Sequence, residues 1–418
     1  MTQNRHADPK AVPSPGKPVP GMTNVPLERA FRASLPIAFL ARTTINTSFR
    51  IIYPFLPSIA RGLGISLTAA SGLITLRLVA RMGAPFLGPL ADRYGRRRTM
   101  EAALLLFALA STLLAGVGTF AAAAAAFALY GIAKALYDPA LHAYLGDAVP
   151  YHERGRATGA IELSWSSAWL LGVPASGFLI ERFGWRAPWA ALLVLGLLGV
   201  GLTRAGLPSA ASRSTHNSGK PFAASMAITW RNLLRRRAVV VLLLTSLLLT
   251  LANEIPFIVY GAWLEATFGL SLTALGLAST VVGLAEVTAE LGTTVITDRL
   301  GKRRSVLVGL IGLAASLVAL PWLVRLGLAA ALAGVALMLL TFEFGLVSLL
   351  PLATELAPDA RATLFSLNIT AFSLSRILGA LIGGWLWQWQ SITLHAGVGA
   401  ICALAAALLL ARGMREIG

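Results

Sequence analysis

Twelve long apolar runs, most near twenty residues or more and separated mainly by short polar gaps, limit what this chain can fold into. An α-helix needs roughly 20 residues to cross a hydrocarbon core of about 30 Å. In lipid only helices and closed barrels satisfy their own backbone polar groups, so the sequence predicts an all-α membrane protein. The runs fall at 34–60, 67–90, 99–117, 120–147, 156–181, 187–205, 239–264, 271–297, 305–325, 327–355, 361–388 and 391–411, and are called spans 1 to 12 below. With 56% hydrophobic and 13% charged residues, the 418-residue chain is too apolar for water to be its main solvent.

The net charge of +17 would point to nucleic acid only if a soluble basic domain carried it. Lys and Arg sit instead in alternate gaps between spans. About 25 fall on the side of the N-terminus and about four, Arg61, Arg182, Arg186 and Arg325, on the other. The positive-inside rule then puts both termini in the cytoplasm and the protein in the cell inner membrane. Residues 1–33, with Pro13, Pro15, Pro18 and Pro20, read as a disordered cytoplasmic tail, and 412–418 as a second tail. Cys402 is the one cysteine, which leaves neither a disulfide nor a cysteine metal site. The five histidines lack metal spacing, and no phosphate-binding Gly-x-x-x-x-Gly-Lys-Ser/Thr loop occurs. Neither a cofactor nor catalysis is therefore expected.

The one long polar gap, 206–238, runs from Pro208 and a serine-rich stretch into Phe222 to Arg237. It reads as a flexible linker feeding an amphipathic helix on the anionic inner leaflet. On either side lie two six-helix bundles, 34–205 and 239–411, and they repeat each other. Ser66-Leu67-Thr68-Ala69 recurs as Ser271-Leu272-Thr273-Ala274, and Asp92-Arg93-Tyr94-Gly95-Arg96-Arg97 as Asp298-Arg299-Leu300-Gly301-Lys302-Arg303. Arg156-Ala157-Thr158 recurs as Arg361-Ala362-Thr363, and Gly172 with Gly177 as Gly379 with Gly384. The offset stays within 205 to 207 residues, so the bundles are pseudo-symmetric, and parallel repeats place a binding site at their interface.

Gly88-Pro89-Leu90-Ala91-Asp92-Arg93-Tyr94-Gly95-Arg96-Arg97-Arg98, between spans 2 and 3, resembles the signature loop of the major facilitator superfamily. Asp298 to Arg304 is its partial second copy, with Thr294 in place of the first glycine. The resemblance implies a transporter with a cytoplasmic gate at Gly88, Asp92, Arg93, Gly95 and Arg96 and at Asp298, Arg299 and Gly301. It also implies that Asp92 latches the first half to the turn at Asp359 to Thr363. Likeness to the drug/proton antiporter branch is partial, since Phe127 stands where that branch carries an arginine and span 5 reads Gly172-Val173-Pro174 where it carries Gly-Pro.

Six basic residues lie within spans: Arg42, Arg50, Arg77, Arg81, Lys134 and Arg376. Facing lipid, they would cost on the order of 15 to 20 kcal/mol together, so they are expected to face inward. Six acids match them: Asp138, Glu162, Glu254, Glu286, Glu290 and Glu343. The family fold lines its cavity with spans 1, 4, 7 and 10, which selects Arg50, Lys134, Asp138, Glu254 and Glu343, joined by Arg376. Lys134 and Asp138 are four apart and share a helical face. The repeat sets Glu254 level with Arg50, so a pair across the halves is expected there. Tyr53 and Tyr137 are placed to stack on an amphipathic substrate.

Two functions remain open at this point. One is an antiporter that uses protons for efflux of an amphipathic small molecule, as in multidrug export, with Glu254 and Asp138 carrying the proton. The other is a proton-linked importer or uniporter of an anionic or zwitterionic metabolite held by Arg50 and Lys134. In both, the partners are a small-molecule substrate, protons and the lipid bilayer, and the protein acts as a monomer.

Overall fold

The computed structural model describes residues 25–83, 87, 90–91, 93–149, 154–207, 230–356 and 361–414. Among the described residues, each of the twelve predicted runs is mainly helical. Span 1 is Val25–Arg50 continued by Ile52–Leu63, so it begins at Val25 and not at residue 34. Leu67–Arg81 forms the described body of span 2, followed by Arg96–Gly116, Phe120–Ala148, Arg154–Phe183 and Ala187–Gly206 as spans 3 to 6. The second half repeats the plan with Arg237–Phe268, Leu272–Leu300, Lys302–Arg325, Leu328–Leu356, Arg361–Leu386 and Ile392–Gly413, several of them interrupted at a kink. Of the amphipathic helix expected over Phe222 to Arg237, residues 222–229 lie outside the described residues and 230–234 are helical.

Among the described residues, ten helices are long and apolar enough to cross a membrane, or eleven if the bent pair Ile52–Leu63 and Leu67–Arg81 counts as one. That pair bends by 117° and forms the hairpin between spans 1 and 2. Span 1 is less apolar than the others because Arg42, Thr44, Asn46, Thr47, Ser48 and Arg50 crowd its centre, and all six are buried in the protein. Lipid meets the outer faces instead, where Leu171, Leu291, Trp322 and Ile401 are exposed.

Repeated residues do repeated jobs. Ser66 and Ser271 each cap a helix by accepting from the amide three residues on, Ala69 N at 3.1 Å and Ala274 N at 3.2 Å. Gly95 and Gly301 turn the chain between helices at φ +94° and +83°, a region that disfavours any side chain.

The two halves meet on the face opposite the basic loops. There Thr68 Oγ1 donates to the Gly384 carbonyl at 3.1 Å, and Thr273 N donates to Glu181 Oε2 at 2.6 Å. These contacts are pseudo-symmetric: the end of span 11 holds the start of span 2, and the end of span 5 holds the start of span 8. Arg61 Nη2 adds an ion pair to Glu265 Oε1 at 2.8 Å. On the other face the side chains of Arg81 and Glu162 are 36% and 46% exposed.

Candidate functional site

Two buried charges form a pair between the halves. Arg50 Nη2 lies 2.8 and 2.9 Å from the two carboxylate oxygens of Glu286 on span 8, and both residues are buried. Trp169 Nε1 donates to the same carboxylate at 3.2 Å. The Arg50 guanidinium also sits 4.0 Å from the Trp165 ring centroid and 4.9 Å from that of Trp169, distances at which a desolvated cation is attracted to an indole face. Both tryptophans belong to span 5, which contains a π-helical turn at Ala168–Gly172. Such turns recur at functional sites because the extra residue re-aims the side chains around it.

Glu254 on span 7 comes next. Its Oε1 accepts from the Tyr53 hydroxyl at 2.9 Å, a second bond across the halves. The Tyr53 ring packs 5.0 Å from Phe257, which stacks at 5.1 Å on Tyr260 and meets Trp169 edge-on at 5.8 Å. Aromatic surface thus walls the charged centre. Arg376 interacts electrostatically with Glu254, Glu343 and Glu286. Neither Arg376 nor Glu343 makes a hydrogen bond or ion pair among the described residues, and Arg50 Nε is buried without a partner.

A second cluster lies within the first half, toward the basic face. Lys134 Nζ donates to Asn46 Oδ1 at 2.5 Å and pairs with Asp138 Oδ2 at 3.1 Å. Asn46 Nδ2 is in turn held by Ser164 Oγ at 3.2 Å. Asp138 also faces Arg42 at 3.5 Å and Arg81 at 3.7 Å, and Arg42 reaches Glu162 at 3.0 Å. Gly131, one turn before Lys134, makes this possible: a Cβ there would stand 2.3 Å from the Arg77 carbonyl oxygen and 3.1 Å from Arg81 N. Spans 2 and 4 therefore touch backbone to backbone, and Arg81 comes within reach of Asp138.

Most residues expected in the cavity meet in these two clusters. The i,i+4 pair Lys134 and Asp138 forms as spacing predicts. Arg50 bridges the halves, but to Glu286; Glu254, expected as its partner, takes the Tyr53 hydroxyl. Tyr137 does not reach the charged centre: its hydroxyl donates to the Ala38 carbonyl at 3.4 Å and its ring is buried between spans 1 and 4. Trp165 and Trp169 were not singled out by sequence reasoning; the available signal was two tryptophans one turn apart on a span that also carries Glu162. In the signature loop, Gly88 and Asp92 lie outside the described residues, as do 357–360 and the side chains of Asp298 and Arg361 to Thr363. Arg93 packs over its neighbour Tyr94 at 5.5 Å, and Arg96 pairs with Asp147 at 3.3 Å.

The chain resembles known transporters along nearly its whole length. A sequence profile of the Major Facilitator Superfamily matches residues 38–260 and 242–416. The uncharacterized MFS-type transporter YceJ of Bacillus subtilis (strain 168) is 26% identical over 354 residues, 84% of this chain and 88% of that protein. Multidrug resistance protein 2 of the same organism is 29% identical over 150 residues, 35% of this chain and 37% of that protein. The niacin transporter NiaP of Acinetobacter baylyi is 31% identical over 116 residues, 28% and 26% of the two chains. In structure, the D-xylose-proton symporter superposes with a TM-score of 0.75 at 18% identity, covering 92% of this chain and 98% of the other.

Proposed function

We propose that this chain, which belongs to the major facilitator superfamily, couples proton movement to the efflux of an amphipathic small molecule by alternating access to its central cavity. The Arg50–Glu286 pair carries this reading. Its members sit in different bundles, so rocking one bundle against the other strains or breaks the bond. Parting a buried pair leaves two uncompensated charges, and losing one partner typically costs 3–5 kcal/mol. A proton taken up by Glu286 removes the acid's share of that penalty, and an anionic ligand group that replaces the carboxylate against Arg50 removes the cation's share. Opening is thereby linked to loading.

The aromatic wall of Tyr53, Trp165, Trp169, Phe257 and Tyr260 supports an amphipathic substrate, as does the partial likeness to a multidrug resistance protein. In this reading the basic loops face the cytoplasm, residues Gly88 to Arg96 and Asp298 to Gly301 form the gate on that side, and each monomer carries its own cavity.

Purified protein in liposomes, loaded with a pH-sensitive dye and challenged with an ethidium gradient, tests the proposal. Ethidium efflux should drive protons the opposite way, and Glu254→Gln and Glu286→Gln should uncouple the two flows. Ethidium movement without any proton movement would overturn the reading. A second reading, transport of an anionic or zwitterionic metabolite, is favoured by the donors left free on Arg50 Nε and Arg376 and by the niacin transporter relative. Proton flux elicited by nicotinate and not by ethidium would select it.

A further inference from the structure

The Lys134 cluster contains one cation more than it can pair. Arg42, Arg81 and Lys134 face two carboxylates, Asp138 and Glu162, so the group carries a net charge of +1 when all are ionised. Protonating Asp138 would raise that to +2 inside the bundle. Releasing a proton from Lys134 would bring it to zero. Arginine does not give up its proton in proteins, whereas a buried lysine ammonium does so readily.

Hydrogen bonding agrees with the charge count. An ammonium has three N–H donors, and Lys134 turns them to two residues: Asn46 Oδ1 at 2.5 Å, and Asp138 through Oδ2 at 3.1 Å and Oδ1 at 3.4 Å. Its remaining neighbours are the rings of Trp165 and Phe49, with centroids 4.9 and 5.4 Å away. A neutral amine keeps two N–H donors, enough for one bond to Asn46 and one to Asp138. The site is therefore satisfied with or without the third proton.

We propose that Lys134, and not Asp138, is the group of the first half that binds and releases the transported proton. Its ammonium gives the proton to solvent on the basic face and becomes the neutral amine, while Asp138 stays ionised between Arg42 and Arg81. The groups facing it are Arg42 and Asn46 of span 1, Arg81 of span 2, Asp138 of its own span, and Trp165 of span 5. Beyond Arg42 the cluster opens to solvent, where Glu162 contacts His142 at 3.5 Å and both side chains are more than 40% exposed.

The inference rests on the proton-coupled reading, but its test does not need a substrate. Trp165 lies close enough to Lys134 for its fluorescence to respond to the ammonium charge. Full-length protein in lipid nanodiscs is titrated while tryptophan emission is followed, in the parent and in Lys134→Arg, Lys134→Gln, Asp138→Asn, His142→Gln and Trp165→Phe. The expected result is one step that disappears in both Lys134 variants and in Trp165→Phe. It should persist in Asp138→Asn, with its midpoint displaced, and in His142→Gln. A step that survives in both Lys134 variants, or the lack of any step in the parent, overturns the proposal. A lysine-dependent step without proton flux in liposomes would keep the site and remove the coupled-transport reading; flux without the step would do the reverse.

Discussion

Arg50 and Glu286 are joined by two hydrogen bonds of 2.8 and 2.9 Å from a single guanidinium nitrogen, and the bond crosses from the first bundle to the second. A connection of that kind belongs to the relation between the bundles and to neither bundle alone. Perturbing it should alter both stability and the conformational cycle.

Glu286→Leu or Arg50→Met alone should destabilise the protein by about 3–5 kcal/mol, because each leaves a buried charge without its partner. Arg50→Met with Glu286→Leu should recover most of that loss while abolishing coupled transport. Thermal unfolding of the four proteins in nanodiscs gives the coupling energy as a double-mutant cycle. Additive single effects would mean that the two groups act independently.

Tyr53→Phe keeps the ring against Phe257 and removes only the donor to Glu254. A buried acceptor left without a donor costs about 1–3 kcal/mol. Unfolding measurements should show a loss in that range, and the loss should shrink when Glu254→Gln is also present. No change in the single variant would place the Glu254 carboxylate elsewhere.

Gly131→Ala should force span 4 away from the Arg77 carbonyl, at about 1–3 kcal/mol for overpacking. Gly201→Ala is the control: nothing lies within 4 Å of a Cβ at that position, so it should be neutral or stabilising by up to about 1 kcal/mol. Equal effects of the two would show that helix propensity, and not contact with span 2, sets the outcome.

Thiol labelling tests which face is sealed. In a Cys402→Ser background, Ser71→Cys lies under Gly384 in the contact between the halves, and Glu162→Cys points into the open side of the first bundle. A membrane-impermeant maleimide applied to the basic face should label the second and leave the first. Strong labelling of Ser71→Cys from the opposite face would mean that the seal is open for much of the time.

Much of the architecture was legible in the residues. The length of an apolar run decides whether a helix can cross lipid, the two-copy motifs fix a duplicated chain, and the unequal distribution of Lys and Arg separates two faces. These are properties of single segments, so no knowledge of packing is needed. The same holds for Lys134 and Asp138, whose four-residue spacing makes them neighbours on any helix.

Partner choice between helices was not legible. Depth along the membrane set Arg50 level with Glu254, and depth alone suggested that they pair. Which of two acids at similar depth meets the guanidinium depends on how each helix is rotated about its axis, and that rotation is set by packing: the close approach at Gly131, the π-turn beside Trp169, the seal around Gly384. The excess cation at Lys134 became visible for the same reason, since a charge count has meaning only after the fold has decided which charges share a chamber.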